Sequence, residues 1–273
     1  MNTRSLRGRH PAAGLRWLPA LLPLIPIIAA LVLTAGSAGA GGPASDPGAL
    51  RPLAAPALAA PALAARGTAG GLPAGRGALV VLVHRTTVLR SAPGGHALAR
   101  IGARSDFGSP QALWVRSVRG GWLGVVSPEA GNGRLGWIPR RGTTLGRVDW
   151  QLRVSLAARR LTVLESGRSL ERYTVAIGRP SAPTPTGSFA VTDRLFTGDS
   201  SGPYGCCILA LSARAPHAIQ GWNGGDRIAI HSTPETATLG QPVSHGCLRL
   251  TLAEGRWLLA HIPLGTPVVV ARS

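Results

Sequence analysis

Apolar and polar positions alternate with a period of two through the second half of the chain: Leu152, Val154 and Leu156; Leu161 and Val163; Tyr173, Val175 and Ile177; Phe189 and Val191; Ile228 and Ile230. Successive side chains of a strand point to opposite faces, so this period predicts half-buried strands of an antiparallel sheet. One stretch breaks the rhythm. Leu258, Leu259 and Ile262 fall at helical spacing within 252–262, and Pro263 ends the helix they predict. A strand at 267–271 closes the region. Nearer the N-terminus, β-branched and aromatic runs at 79–83, 113–118, 122–126 and 136–138 are split by turn signals such as Pro93-Gly94-Gly95 and Gly120-Gly121. That is the pattern of a small β-barrel. Trp114, Trp122 and Trp137 lie in these runs and are expected in its core, given the area an indole buries.

What precedes the strands is of a different kind. Residues 41–77 are Ala, Pro and Gly, with Leu53-Ala54-Ala55-Pro56-Ala57 repeated at 58–62. A proline every five residues forbids a regular helix, which predicts a semi-extended tether. Residues 1–40 read as an export signal: Arg4, Arg7, Arg9 and Arg16 precede an apolar run from Trp17 to Ala35, and Ala38-Gly39-Ala40 offers small residues for cleavage. An uncleaved anchor through 17–35 is the alternative, weakened by Pro19, Pro23 and Pro26. Both readings place the folded part outside the cytoplasm, at the wall or secreted. The expected order is therefore 1–40 signal or anchor, 41–77 linker, 78–141 small barrel and 147–272 a second, mostly-β domain built as a β-sandwich or barrel.

The 273 residues carry a formal charge of +18, and loss of the four arginines in 1–40 leaves +14. This favours anionic surroundings, such as wall polymers or a membrane surface, although every basic residue is Arg and codon bias alone would raise the count. Nucleic acid is excluded as a partner class, because the arginines are scattered and no nucleic-acid motif occurs. Three cysteines, Cys206, Cys207 and Cys247, are too few for a disulfide framework and leave at least one thiol free.

The chemistry concentrates between Asp226 and Leu250. Ile228-Ala229-Ile230-His231 predicts a strand that delivers His231 at its end, and the chain returns at Ser244-His245-Gly246-Cys247-Leu248-Arg249. The twelve residues between, 232–243, span up to about 40 Å when extended, ample to set His231 beside Cys247. An adjacent imidazole activates a thiol by forming a thiolate and imidazolium pair, and can then return the proton to a leaving amine. Gly246, lacking a Cβ, lets the backbone turn and aim amides at a developing oxyanion. His245 stays open as base, since two residues apart in an extended chain puts it on the same face as Cys247.

A His at a strand end, then a loop, then Ser-His-Gly-Cys resembles the signature of the L,D-transpeptidase (YkuD-type) catalytic family. Thr184-Pro185-Thr186-Gly187-Ser188-Phe189 after Ile177-Gly178, Pro203-Tyr204-Gly205, and Leu239-Gly240 before Ser244 agree with further elements of that family. The resemblance covers about 150–271. It implies Cys247 as nucleophile, His231 as general base and acid, the Ser232 carbonyl orienting His231, His245 supporting the site, and amides around Gly246 and Cys247 as the oxyanion hole. Ser244 and Tyr204 fall on its substrate side, Tyr204 either donating to substrate or packing. Arg249 either pairs with a substrate carboxylate or braces the loop. The substrates implied are peptidoglycan stem peptides, joined through a cysteine thioester into 3→3 cross-links, with no metal or other cofactor. The order Leu89 to Gly95, Gly121-Trp122-Leu123 and Gly136-Trp137-Ile138 resembles a bacterial SH3-like domain. The fold class expected is thus mostly β, an SH3-like barrel followed by the transpeptidase β-sandwich with one or two short helices.

Competing readings exist. Sortase-like enzymes also pair His with Cys but need a longer separation, and papain-like and NlpC-type peptidases place Cys before His. A non-catalytic alternative is a wall-binding protein whose His231, His245, Cys247 and one of Cys206 or Cys207 hold zinc. Cys206-Cys207 departs from the family, and both residues read as small buried hydrophobes; a bridge between them needs a strained ring. His217 and His261 show no partner pattern.

Overall fold

Strands dominate the computed structural model, which describes residues 72–216 and 225–273 in full and 51–52 by their backbone. The export segment 1–40, the tether up to residue 71 and His217 lie outside the described residues. The described part belongs to one compact unit, 45–273. Short Arg51–Pro52 is β1. Then β2 (Ala78–Val83), β3 (Thr87–Arg90), β4 (Ala97–Ile101), β5 (Ala112–Arg119), β6 (Trp122–Val126), β7 (Gly136–Pro139) and β8 (Thr143–Val148) form a seven-stranded sheet in the order β4-β3-β7-β6-β5-β2-β8. Its neighbours are all antiparallel. The sheet runs past residue 141 because β8 pairs with β2 along the whole of both strands, from Ala78↔Val148 to Val83↔Thr143.

Alternation along this module assigns its faces, and it reverses the expectation for the tryptophans. Leu113 and Val115 on β5, Leu123 and Val125 on β6 and Ile138 on β7 fill its core together with Val81, Val83, Leu89 and Ile101. Trp114, Trp122 and Trp137 alternate with these residues, so a strand period of two puts all three indoles on the opposite, outer face. Trp137 is nevertheless buried, at 6% exposure, because its ring lies across Gly124, where a Cβ would stand 3.1 Å from it.

The second set comprises β9 (Trp150–Ser155), β10 (Arg160–Glu165), β11 (Arg168–Thr174), β12 (Ile177–Gly178), β13 (Gly187–Phe196), β14 (Cys207–Arg214), β15 (Arg227–Ser232), β16 (Pro242–Ser244), β17 (Leu248–Leu250) and, after helix α1 (Leu252–His261), β18 (Pro267–Ala271). The main sheet is ordered β11-β10-β9-β18-β13-β14-β15-β17, with β1 pairing to β13 and the short pair β12-β16 apart. Strand β13 joins its halves: residues 187–190 pair with β18 and 191–196 with β14. Leu152, Val154, Leu161 and Val163 from one half meet Ile208, Leu209, Leu211 and Ile230 from the other in a single apolar core. Thr251 and Glu254 form a reciprocal capping box that starts α1 one residue after β17. This helix packs on β14 and β15.

The module is docked on this domain by both apolar and polar contacts. Val80, Ala112 and Val148 join the domain's core, and Gly265 lies so close to Val80 that a Cβ there would come within 2.6 Å. Arg227, 2% exposed, donates to the Leu211 carbonyl, to Thr192 Oγ1 at 2.6 Å and to Asp106 Oδ2 at 3.1 Å, and its guanidinium lies 5.6 Å from the Phe107 ring. Ser105 donates to buried Asp193. A buried cation with its partners in place is costly to truncate, whereas its partner Asp106 has a side chain 60% exposed. Arg227→Ala should lower unfolding free energy by about 3 kcal/mol in urea titration, and Asp106→Asn by less than about 1 kcal/mol.

Candidate active site

Strand β15 ends in His231-Ser232, and β17 lies parallel beside it with Ile230 opposite Leu248 and His231 opposite Arg249. Cys247 immediately precedes β17 and so lies level with Ala229 of β15, two residues before His231 on that strand. The segment that delivers it is a tight turn closed by Ser244, whose Oγ donates to the Cys247 carbonyl at 2.6 Å and accepts from the Gly246 amide at 3.1 Å. Gly246 has φ +116°, and a Cβ on it would stand 2.8 Å from Ile228 Cδ1. Only glycine satisfies both constraints. The turn also corrects two expectations. Because the chain is not extended at Gly246, His245 is exposed while Cys247 is buried, so they do not share a face. The Gly246 amide, meanwhile, is taken by Ser244 rather than aimed at substrate.

His231 is 2% exposed and its Nδ1 lies 2.9 Å from the Ser232 carbonyl. A carbonyl only accepts, so Nδ1 carries the proton and Nε2 keeps its lone pair. Ser232 is itself fixed: its Oγ accepts from the Cys207 amide at 3.1 Å, and it is wedged between Gly205 and Gly255, where added Cβ atoms would meet it at 2.5 and 2.8 Å. Tyr204 is half-buried, with its ring edge-on to His231 at 4.9 Å between centroids. Thr184 accepts from the Gly178 amide at 2.9 Å and folds the Thr-Pro loop so that the Pro183 carbonyl approaches Gly246.

Burial sets the charge state. The Cys247 thiol is pushed up to about 11, chiefly by burial and against the pull of the Ala229 amide and Arg249. His231 is pushed down to about 4, again chiefly by burial, which outweighs its bond to Ser232. The Tyr204 phenol is raised to about 12 by burial and by Cys247, with Arg249 opposing. Moving a proton from sulfur to imidazole across the gap from about 11 to about 4 costs roughly 10 kcal/mol. Burial thus favours the neutral form of each group taken by itself, and works against the thiolate and imidazolium expected from sequence.

Arg249 is the one cation that all three groups sense. Its backbone is fixed by two bonds to Ala176, both 3.0 Å. Its head makes only a 3.4 Å contact with Glu235, whose side chain is 65% exposed, and its buried Nε has no partner. Sequence reasoning did not find Glu235 or the Ala229 amide; a backbone donor leaves no trace in side-chain identity. Cys206 and Cys207 are buried as expected but bonded to each other, which leaves Cys247 as the free thiol among the described residues. That bond removes both sulfurs from the alternative zinc set, and no group of three or more His, Cys, Asp or Glu side chains gathers as ligands among the described residues. His261, at the end of α1, stacks on Trp257.

Residues 149–270 match the L,D-transpeptidase catalytic domain family, YkuD. L,D-transpeptidase YkuD of Bacillus subtilis (strain 168) is 30% identical over 125 residues, which are 46% of this chain and 68% of that protein. The chain belongs to the YkuD L,D-transpeptidase family. It is an acyltransferase of the class that uses a cysteine nucleophile. L,D-transpeptidase 1 of Mycobacterium tuberculosis (strain H37Rv) is 28% identical over 123 residues, 42% of this chain and 48% of that protein, so the chain spans about half of that relative. Among solved structures, an L,D-transpeptidase of Mycobacterium smegmatis is similar at a TM-score of 0.36 and 20% identity, covering 59% of this chain and 89% of that one. The family assignment rests on the sequence matches.

Neutral burial of His231 has a measurable consequence. Above pH 6.5 the imidazole is neutral in both folded and unfolded chains; below it the unfolded chain binds a proton that the folded chain refuses until about pH 4. Stability is thus lost as pH falls through that window, by about 3 kcal/mol in total from this group. Denaturant titrations between pH 7 and 4 should show a shallower pH dependence for His231→Gln than for wild type, and equal slopes would contradict the assignment.

Proposed function

We propose that this enzyme makes 3→3 cross-links in peptidoglycan through a thioester on Cys247. The observations that support the reading are a free, buried thiol just before β17, and on the parallel strand β15 a buried histidine whose tautomer is set by the Ser232 carbonyl. In the first step the proton on Sγ passes to His231 Nε2 as sulfur attacks the carbonyl of the third, dibasic residue of a tetrapeptide stem. The S–C bond forms, the peptide bond to the terminal D-alanine breaks, and Nε2 returns its proton to the departing amine. An amine of a neighbouring stem then attacks the thioester, gives its proton to Nε2, and releases the thiol. No external energy source is required, because the acyl group stays activated on sulfur.

Because burial favours the neutral form of each group, charge appears as the tetrahedral intermediate forms, and donors aimed there act with full effect. With the Gly246 amide held by Ser244, the Cys247 amide is left as the oxyanion donor of the turn. Tyr204, protonated at any physiological pH, covers His231 and can donate to the donor stem. Arg249 pairs with a substrate carboxylate, since its Nε is unsatisfied and Glu235 holds it weakly. His245, exposed at the mouth of the turn, contacts substrate rather than acting as base. The N-terminal module is read as SH3-like, and the enzyme as working outside the cytoplasmic membrane on wall material.

Two outcomes test this. The folded protein should form a one-to-one covalent adduct with a carbapenem, mapped by mass spectrometry to the peptide containing Cys247, and Cys247→Ala should form none; an unmodified wild type would contradict the proposal. Arg249→Gln should raise KM for a tetrapeptide donor about tenfold with kcat changed less than about threefold, the loss of one charge-assisted contact.

A further inference from the structure

The bond between Cys206 and Cys207 plays no part in the chemistry above. It joins chain neighbours, so it closes a small ring that contains the 206–207 peptide group. Both polar atoms of that peptide reach an element of the site. Its carbonyl accepts from the Thr197 amide at 2.9 Å, and its N–H donates to Ser232 Oγ at 3.1 Å. Phe196 pairs with Cys207 at the end of the β13–β14 ladder, so residues 197–206 are the loop of that hairpin. Tyr204 lies in this loop, and Thr197 closes it a second time by donating from Oγ1 to the Gly205 carbonyl at 2.6 Å. Ser232 is the residue whose carbonyl fixes the His231 tautomer, and its Oγ also stands 3.4 Å from the Tyr204 carbonyl. One peptide plane thus holds the loop that brings Tyr204 to His231 and the residue that orients the imidazole.

The residue before the ring is Gly205, at φ +53°. Glycine is the residue least able to hold the following peptide in one orientation, and the ring supplies the restraint that glycine lacks. Two small aliphatic side chains would fill the same buried space and leave the plane free to turn. We propose that the Cys206–Cys207 disulfide is a positioning element of the active site, and, resting on the reading of His231 as proton carrier, that turnover depends on this bond. Opening it takes two electrons and two protons and gives two thiols; a dithiol supplies both and closes to its own cyclic disulfide. Cys206 Sγ lies 3.6 Å from Ser232 Oγ. As a thiol it can donate there and compete with the Cys207 amide, whereas in the disulfide it can only accept. With 1% and 2% exposure the two sulfurs are shielded from external thiols, so their state is set as the chain folds. Cys247 is a free thiol in either state.

The test compares three forms of the full chain: refolded in air, refolded with dithiothreitol, and Cys206→Ser/Cys207→Ser. Thiol titration after denaturation should count one thiol in the first and third and three in the second. For a soluble tetrapeptide donor, kcat should fall about tenfold in the second and third forms, with KM changed less than about threefold. Refolding the second form without dithiothreitol should restore kcat. Nitrogen-15 NMR of the His231 ring should show the single Nδ1–H tautomer in the first form and a mixture in the other two. Melting temperatures should agree within about 4 °C, because so small a ring restricts the unfolded chain little. Equal kcat with one tautomer throughout, three thiols in the air-refolded chain, or a fold that is lost with the bond would each overturn the proposal. A tautomer change with no turnover in any form would uphold the positioning role and overturn the catalytic reading instead.

Discussion

The close approach of the Ser244–Cys247 turn to strand β15 is the constraint on which the site depends. A left-handed glycine pressed against Ile228 lets the chain reverse in four residues and deposits a thiol beneath the surface, alongside the strand that carries His231. Any side chain at 246 would both strain the backbone and push the turn off the strand. Burial then does the electrostatic work. Burial favours the neutral form of both groups, so the proposed nucleophile is stored as a thiol. A stored thiol also resists oxidation better than a standing thiolate, a useful property outside the cytoplasm.

The same strand links the two halves of the described chain. Arg227 opens β15 and is buried against Asp106 and Phe107 of the N-terminal module, while His231 closes it at the site. Three residues of one central strand, Ile228 to Ile230, thus separate the docking contact from the His231 imidazole. Glycines at 205 and 255 make room for Ser232, whose carbonyl holds the imidazole's proton in place. The backbone here is packed to contact on every side of the histidine, and its orientation follows from that packing.

Much of this was legible in the sequence. Strands with one wet face showed their period, and the helix and the last strand were found within a residue because Pro263 and the run from Pro267 mark them. Strand β14 escaped notice because seven of its eight residues are buried and no alternation survives. Trp137 is buried as expected, whereas Trp114 and Trp122 are only partly buried, because Leu113, Leu123 and Ile138 claimed the inner positions. At the site, the strand that ends in His231-Ser232 and the turn that brings Cys247 beside that strand were readable from spacing and motif. The exposure of His245 and the capture of the Gly246 amide were not, since both follow from one dihedral angle. Nor could sequence reveal that burial would push the thiol up and the imidazole down.

The most direct test of a nucleophile held neutral is a thiolate titration of the folded protein, read as the ultraviolet absorbance difference between wild type and Cys247→Ala across pH. A buried thiol should show no thiolate at neutral pH and a single rise with a midpoint of about 11. A thiolate signal already complete at neutral pH, lost in acid together with His231 protonation, would contradict it and restore a standing ion pair.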